Sequence, residues 1–351
     1  MAITNSVLSD LAVLDFQQSV ALYGAGATGQ FVLRQLETER PDIKVLCFID
    51  DIKKGAINSI PVRPLSEIPG NTIVLITTSY WREVCTKLEK VSLKYYIVDL
   101  LSGKSKKEIV ERVFREKSIK FFTPNNYLAQ VSENFEKIEK CTVDWIDDFE
   151  PNSIFYDIGA SSGIYSIYAS VTQGCETIAV EPDAQNFAIL EMNHHLNRGI
   201  MNGRFISLNL GLGSKASLMP LKCQEYLAGA HGKVFDLKNR TQQNDMLFDH
   251  IQFLLVDSLD FLIDRYNLPV PQYLKIDVDG AELDVIEGCK KALSSTYFRE
   301  LMIETDLDNF DRMNHTLEKI GLKLKERFTI EEIIGGEIQN VHNYLYHRAA
   351  V

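Results

Sequence analysis

The sequence predicts an α/β protein made of two Rossmann-like domains, and three observations support this prediction. At 351 residues the chain is longer than one average domain. Two glycine-rich turns, "YGAGATG" at 23–29 and "YDIGASSG" at 156–163, each follow an apolar run typical of a buried strand and precede an apolar helical periodicity. Strand-like and helix-like segments alternate around both turns, which indicates parallel βαβ units.

The amino-terminal segment "MAITNSVLSDLAVLDFQQ" has apolar residues at helical spacing and no Lys or Arg before Arg34. A secretory signal needs a positively charged start, so we predict a docking helix here. No apolar run reaches the roughly 20 residues that span a bilayer. We therefore expect a cytoplasmic protein without membrane insertion.

The first predicted domain covers residues 1–103. Its buried strands are expected in "SVALY", "KVLCFIDD", "NTIVLITTS" and "KYYIVDLL", with helices between them. From Ser102 the composition becomes charged, in "SGKSKKEIVERVFREKSIKFF". We interpret residues 104–148 as a helical connector whose charges form a solvated face.

The second predicted domain covers residues 149–351. Five buried strands are expected in "IFYDI", "TIAVE", "RFISLNL", "QYLKID" and "ELMIET", and two closing strands in "LKLKERF" and "NYLYHR". Seven strands with an antiparallel last pair fit an α/β sandwich of the methyltransferase type. Residues 220–250 have no clear periodicity, and we predict a long functional or mobile loop there.

The charge balance argues against some classes of partner. The chain has 37 Lys and Arg against 48 Asp and Glu, a formal net charge of −11, which disfavours binding to nucleic acid or to an anionic membrane. The six cysteines are scattered without a C-x-x-C pair, so they indicate reduced thiols rather than a zinc site.

The second glycine turn carries an acid that a dinucleotide site would not favour. Asp157 lies two residues before Gly159, where a carboxylate would repel a pyrophosphate but attract a cation. S-adenosylmethionine has an ammonium, a sulfonium and no phosphate. Glu181 ends the next strand, where a carboxylate offers two acceptors for ribose hydroxyls. The candidate residues for binding this cofactor are Asp157, Gly159, Gly163, Glu181 and Pro182.

Five segments carry a resemblance to a known family. "FYDIGASSGIYSIYAS", "AVEPDAQNFAILEMNHHLN", "VDSLDFL", "YLKIDVDGAELDVIEGCKKAL" and "LMIET" resemble the FkbM-type S-adenosylmethionine-dependent methyltransferases, over about residues 149–351. The resemblance implies a class I methyltransferase fold and O-methyl transfer to a sugar or polyketide hydroxyl. The family usually has Glu where this chain has Asp279, so the carboxylate here is shorter by one methylene.

The predicted acceptor site lies after the fourth strand. A hydroxyl acceptor must lose a proton, which a positioned carboxylate can take. Asp277 and Asp279 end this strand beside the crevice where open α/β sheets bind ligands, and Glu282 follows in the next helix, where it also suits the helix dipole. Lys275, Glu304 and His231 are candidate substrate contacts, although a snorkelling Lys275 is equally consistent. No third metal ligand accompanies Asp277 and Asp279, so we expect a metal-independent reaction.

The first glycine turn has a different set of candidate residues. Gly24, Gly26 and Gly29 satisfy G-x-G-x-x-G, and Asp50 ends the next strand. The segment "CFIDDIKKGAINSIPV" is similar to the nucleotide-sugar-binding domains of bacterial sugar acetyltransferases, except that Ser59 stands where Gly is usual. This domain is therefore interpreted as a nucleotide-sugar site, a dinucleotide site or a scaffold.

The sequence as a whole predicts an S-adenosylmethionine-dependent O-methyltransferase acting on a hydroxyl of a sugar, a glycan or a secondary metabolite. Its alternatives are an NAD-dependent oxidoreductase or a nucleotide-sugar-binding protein that uses the first turn, and a scaffold that keeps its cofactor without turnover. The expected partner is a small-molecule or carbohydrate substrate, together with a nucleotide-sugar under the first interpretation of the amino-terminal domain.

Overall fold

The computed structural model contains two compact units. It describes residues 7–78, 81–100, 103, 105, 107–223, 226–230, 233–235, 248–305, 307–334 and 337–348. One unit comprises Met1–Lys104 with Glu331–Asn340, and the other comprises Ser105–Ile330 with Val341–Val351. The domain boundaries expected at residues 103 and 148 stay predictions.

The first unit is a sheet with helices. Its strands are β1 Val7–Leu8, β2 Ser19–Tyr23, β3 Lys44–Ile49, β4 Gly55–Ile57, β5 Ile60–Arg63, β6 Ile73–Ile76 and β7 Tyr95–Val98, and its helices are α1 Ala27–Glu39 and α2 Trp81–Lys90. The sheet order is β1-β7-β6-β2-β3-β5-β4, with only the β4–β5 pair antiparallel. Alternate residues of β2 enter two separate apolar clusters, so this strand is buried on both faces, as expected for a parallel sheet.

The docking helix predicted at the amino terminus is wrong for the described residues from Val7 onward. They form β1 and a 3-10 helix at Leu11–Val13, which the Asp10 side chain caps by accepting a hydrogen bond from the Ala12 N–H at 2.8 Å. Leu8, Leu11 and Leu14 are all buried. Their spacing of three residues suits a 3-10 turn as well as an α-helix, which is why the pattern was ambiguous.

The second unit contains the remaining strands and helices, except for the last residues of β19 and the first residues of β20, which fall within Glu331–Asn340 and belong to the first unit. Its strands are β8 Ile109–Phe114, β9 Lys117–Phe122, β10 Ile154–Ile158, β11 Glu176–Val180, β12 Phe205–Leu208, β13 Gly211–Leu212, β14 Ser217–Cys223, β15 Lys233–Phe235, β16 His250–Asp257, β17 Tyr273–Ile276, β18 Glu300–Glu304, β19 Leu322–Ile334 and β20 Glu337–Arg348. Its helices are α3 Asn126–Ile138, α4 Lys140–Asp147, α5 Ile164–Thr172, α6 Ala184–Asn197, α7 Leu259–Tyr266, α8 Glu282–Gly288, α9 Lys290–Ser294 and α10 Leu307–Lys319.

The main sheet of this unit has the order β12-β11-β10-β17-β18-β20-β19. The first five strands are parallel, and β20 is antiparallel to β18. All seven strands correspond to the seven runs predicted from the sequence, so the predicted fold class is confirmed. The chain leaves β10 toward β11 on one side and later returns to β17 on the other, which makes the carboxyl ends of β10 and β17 the topological switch point.

Both faces of this sheet are covered. Tyr156 and Leu274 belong to an apolar cluster that also includes residues of α7, α8, α9 and α10. Phe155 and Tyr273 belong to another cluster, with residues of α4 and α5. Because side chains alternate along a strand, Asp157 shares the second face with Phe155, and this places its carboxyl group on the α4–α5 side.

The helical connector predicted for residues 104–148 is wrong in its first part. Residues 109–122 form an antiparallel hairpin of β8 and β9. Val110, Ile119 and Phe121 are buried at strand period, while the charged residues between them concealed that alternation. Arg115 and Glu116 both have positive φ, 46° and 65°, which is the geometry of a tight hairpin turn. Residues 126–138 and 140–147 are helical as predicted.

The long loop predicted for residues 220–250 is also partly wrong. Strands β14, β15 and β16 pair in an antiparallel arrangement, and β13 joins β16 in parallel, to give a small sheet in the order β13-β16-β14-β15. His231 lies outside the described residues, so its predicted role as a substrate contact stays a prediction.

Among the residues that the structure describes, no helix combines the length and the apolar character required to cross a membrane.

Candidate functional site

The second glycine turn makes a close approach that only glycine permits. Gly159 follows β10 with φ +81°, and an added Cβ would lie 1.8 Å from the backbone carbonyl oxygen of Asp277. Its N–H donates to the carbonyl of Val180 at 2.9 Å, and the N–H of Asp277 donates to the carbonyl of Ile158 at 2.9 Å. The turn is therefore in contact with the ends of β11 and β17 at once.

Gly163 begins the helix that follows this turn. It is the N-cap of α5 in the left-handed conformation, with φ +77°, and an added Cβ would lie 2.9 Å from Leu190 Cγ. Ser161 also has a positive φ, 49°. Two glycines and one strained serine thus keep the backbone of residues 159–163 tight, with little side-chain bulk at the sheet edge.

Asp157 is buried at the switch point and one of its oxygens has no partner. Its side chain is 1% exposed. Ser166 Oγ donates to Oδ2 at 2.5 Å, whereas Oδ1 is buried without a hydrogen bond. Burial raises the pKa of Asp157 to about 6, against the opposing effects of Lys275 and Ser166. Such a carboxyl group can accept a cationic or hydrogen-bond-donating ligand.

Glu181 connects the second strand end to the glycine turn. Its Oε2 accepts from the N–H of Ser161 at 2.7 Å and its Oε1 from the N–H of Asp183 at 2.8 Å. Burial raises the pKa of Glu181 to about 7, although these backbone donors and Lys233 act in the other direction. Pro182, half-buried, follows directly. The predicted ribose acid is thus at the expected strand end, where it holds the turn.

Lys275 lies at the centre of a buried ionic cluster. In the sheet register it is paired with Asp157, and it is 2% exposed. Its Nζ donates to Asp277 Oδ2, lies 3.7 Å from Glu139 Oε2 and sits 5.4 Å from the centre of the Tyr165 ring. Burial alone would lower the pKa of Lys275, but the carboxylates of Asp277 and Glu139 hold it well above its ordinary value.

This cluster argues against a snorkelling Lys275. A snorkelling lysine would carry its ammonium to solvent, whereas this ammonium is enclosed by carboxylates. The structure therefore places Lys275 beneath the strand ends as the counter-ion of Asp277. Its predicted contact with substrate stays a prediction.

The residues after β17 form a turn whose carboxylates bind backbone N–H groups. Asp279 is exposed, and its Oδ2 accepts from the N–H of Lys233 at 2.8 Å. Glu282 is buried, and its Oε1 accepts from the N–H of Gly280 at 2.6 Å. Glu304 ends the neighbouring strand β18 and is paired with Asn343 of β20. Asp279 is the most accessible of these predicted carboxylates, and Glu282 shapes the turn.

Lys233 of strand β15 connects the turn after β17 with the turn after β11. The backbone of Lys233 bonds Asp279, while its Nζ lies 3.0 Å from Asp183 Oδ1, with 8% and 1% of the two side chains exposed. Asp183 also caps α6 by accepting from the N–H of Asn186 at 2.8 Å. Lys233 was not predicted, because its segment shows no periodicity in the sequence.

Glu139 was also not predicted as a site residue. It lies between α3 and α4, where its sequence neighbours read as a charged helix surface. Its Oε2 accepts from Thr142 Oγ1 at 2.8 Å, and its carboxylate is 13% exposed. Only the packing of the helices on the sheet brings it to Lys275, so no local sequence signal was available.

The first glycine turn is arranged in a similar way to the second. Gly24 has φ +115°, and an added Cβ on Gly29 would lie 1.9 Å from the carbonyl oxygen of Gly24. Gly26 caps α1 without a side-chain hydrogen bond. Asp50 accepts from the N–H groups of Ala25, Ile52 and Lys53 at 3.0, 2.9 and 2.8 Å. These backbone donors engage the Asp50 carboxylate, and its predicted binding of a nucleotide stays a prediction.

A metal centre has no support in the described part of the chain, where no group of three or more His, Cys, Asp and Glu residues is placed to hold an ion. The expectation of a metal-independent reaction stays a prediction.

Comparisons with known proteins identify a family model, a relative and several similar solved structures. Residues 157–327 match the family model described as methyltransferase FkbM domain. The hexuronic acid methyltransferase AglP of Haloferax volcanii is 24% identical over 196 residues, which cover 56% of this chain and 74% of that protein. The structure of methyltransferase FkbM from Methylobacillus flagellatus KT is similar with a TM-score of 0.41 and 14% identity, over 95% of this chain and 90% of that one. The structure of M. jannaschii TYW2 in complex with AdoMet is similar with a TM-score of 0.35 and 13% identity, over 70% and 89% of the two chains.

Proposed function

We propose that this S-adenosylmethionine-dependent methyltransferase, whose residues 157–327 belong to the FkbM methyltransferase family, methylates a hydroxyl group of a sugar, a glycan or a secondary metabolite. The family match confirms the resemblance seen in the sequence for this part of the chain. A carbohydrate acceptor is supported by the similarity to a hexuronic acid methyltransferase. The similarity of the amino-terminal domain to nucleotide-sugar-binding domains stays a prediction.

The observation that carries the proposal is the buried carboxyl group of Asp157, with one unpartnered oxygen, beside the close turn at Gly159. We assign Asp157 to the cationic part of the donor, since an ionised carboxylate favours a positive charge nearby. We assign Glu181 to the ribose hydroxyls. When bound, S-adenosylmethionine supplies a methyl group on a positively charged sulfur.

On the acceptor side we assign the general base to Asp279. Its carboxylate is exposed at the carboxyl end of β17, where an acceptor can enter, and the N–H of Lys233 fixes Oδ2. Asp277 and Glu282 then position this turn, Asp277 through Lys275 and Glu282 through the N–H of Gly280. Alignment of the acceptor oxygen with the methyl group supplies most of the rate acceleration in such a displacement.

A methyl-transfer screen tests the function. The purified protein is incubated with isotopically labelled donor and a panel of glycans with and without hexuronic acid, and products are read by mass spectrometry. We expect labelled product, and the Asp279→Asn variant should form it roughly 100-fold more slowly with donor affinity near wild type, because Asn keeps an oxygen for the Lys233 N–H. Labelled product formed without any carbohydrate would contradict the proposed acceptor class. An unchanged rate in Asp279→Asn would contradict the assignment of the base.

Donor affinity should depend on pH through Asp157. The pKa of this buried group is about 6 in the free protein, and a bound cation favours the ionised form. Above pH 6 the carboxylate is ready for the donor, whereas below pH 6 a proton must first leave, so affinity should fall by up to about tenfold per pH unit. Calorimetric titration of the donor between pH 5 and pH 8 measures this.

The Asp157→Asn variant is the control for that titration. Asn cannot ionise, so its donor affinity should be low and should lose the step near pH 6. A residual step near pH 7 would belong to Glu181, whose pKa is about 7. Overlapping wild-type and variant curves would exclude Asp157 from the donor site.

A further inference from the structure

The ionic cluster around Lys275 contains more acid than base. Asp157, Asp277 and Glu139 surround the single ammonium of Lys275, so the formal charge of this group is −2 when all four side chains are ionised. The cluster is largely removed from solvent, with Lys275 2%, Glu139 13% and Asp277 30% exposed. Charge in such surroundings is screened weakly.

Glu139 supplies one of these negative charges from outside the family domain, which begins at residue 157. It precedes α4, and its carboxylate contacts Lys275 and the hydroxyl of Thr142. Burial raises the pKa of the Tyr165 hydroxyl well above its ordinary value, helped by its hydrogen bond to Glu139. The neighbours of Glu139 therefore hold its carboxylate in place beside the strand ends that carry the proposed donor site.

The two forms of the cofactor differ by one positive charge. Methyl transfer converts the sulfonium of S-adenosylmethionine into the neutral thioether of S-adenosylhomocysteine, while the ammonium and the carboxylate are unchanged. A site with excess negative charge stabilises the donor more than the product. The ammonium of Lys275 neutralises one carboxylate, that of Asp277. The charges of Glu139 and Asp157 are therefore the negative excess.

We infer that Glu139 is a selectivity determinant of the donor site: its charge makes the Lys275 cluster favour the sulfonium donor over the neutral product. The inference rests on the proposed donor site at Asp157 and Gly159. Each turnover converts the positively charged sulfonium into a neutral thioether, which the cluster attracts less. The segment before the family domain, through Glu139, would therefore favour release of the product.

Calorimetric titration with S-adenosylmethionine and S-adenosylhomocysteine at pH 8 tests the inference, and it requires no acceptor. The measured quantity is the ratio of the Kd for the product to the Kd for the donor. Glu139→Gln should lower this ratio about three- to tenfold, equivalent to about 0.7–1.4 kcal/mol, mainly by weakening donor binding. Gln keeps an oxygen for Thr142, which preserves the local contacts.

Two further variants make the test specific. Glu139→Asp keeps the charge and should keep a ratio near wild type even if both affinities fall. Glu287→Gln removes a charge from the exposed part of α8, where Glu287 pairs with Lys290 at 2.6 Å, and should change neither affinity.

The outcomes separate the inference from the function on which it rests. An unchanged ratio in Glu139→Gln, or an equal loss of both ligands, would overturn the inference and leave the donor site intact. Failure of the wild-type protein to bind either ligand would overturn the proposed donor site itself.

Discussion

Replacing Gly159 with alanine is expected to abolish measurable donor binding and to lower the free energy of unfolding by about 3 kcal/mol or more. The added methyl group would lie 1.8 Å from the carbonyl oxygen of Asp277, on a backbone with φ +81°. Neither atom belongs to a flexible side chain, so the ends of β10 and β17 must separate. Chemical denaturation and donor titration measure the two effects.

Gly199→Ala is the matched control for that substitution. Gly199 lies in the same unit, and a Cβ there would meet nothing within 4 Å. Its stability should stay the same or rise by up to about 1 kcal/mol, since alanine restricts the unfolded chain, and donor binding should be unchanged. A Gly159→Ala protein that binds donor like the wild type would show that the contact between the two strand ends is dispensable.

Replacing Lys275 with methionine is expected to cost about 3–5 kcal/mol of stability. The substitution keeps much of the side-chain volume but leaves Asp157, Asp277 and Glu139 close together without a counter-ion. Their repulsion should also disturb the turn after β17, so turnover should fall with stability. Denaturant unfolding at pH 8 measures the first effect, and methyl transfer to an acceptor identified in the screen measures the second.

An exposed lysine provides the comparison. Lys290 pairs with Glu287 at 2.6 Å while 44% of its side chain is exposed, and Lys290→Met should change stability by less than about 1 kcal/mol. A loss of similar size in Lys275→Met would mean that the buried cluster contributes no more than a surface pair.

The sequence was sufficient to place the strand-end residues of the second unit. The seven apolar runs gave the strands, and their carboxyl ends brought Asp157 and Asp277 to one edge because parallel strands end on the same side. Lys275 and Asp277 are two residues apart at the end of an extended segment, so their side chains point to the same side, in agreement with their direct contact. These predictions depended on local periodicity and on the rules of parallel sheets.

The contacts that the sequence did not predict are those made between distant segments. Glu139 contacts Lys275, which lies 136 residues later in the chain. No motif or periodicity in the sequence near residue 139 indicates this contact. Lys233 was concealed in a segment where short strands carry mixed polar and apolar residues. The hairpin of β8 and β9 was predicted as helix because its many charged residues concealed the period-two spacing of the buried Ile119 and Phe121.

In both glycine turns a carboxylate side chain accepts a hydrogen bond from a backbone N–H of the turn, but the two carboxyl groups have pKa values shifted in opposite directions. In each, the acid at the end of the second strand accepts an N–H of the turn: Asp50 from Ala25 at 3.0 Å and Glu181 from Ser161 at 2.7 Å. Burial acts to raise the pKa of Asp50, but hydrogen bonds from three backbone N–H groups outweigh burial and lower this pKa. The Asp50 carboxylate therefore stays charged near neutral pH. Burial raises the pKa of Glu181 from its ordinary value of 4.5 to about 7. Between these two pH values Glu181 is therefore protonated in the folded protein and ionised in the unfolded chain. The contribution of Glu181 to the free energy of unfolding therefore falls as the pH rises from about 4.5 to 7. The carboxyl group that holds the second turn titrates near neutral pH, whereas the one that holds the first turn stays ionised there.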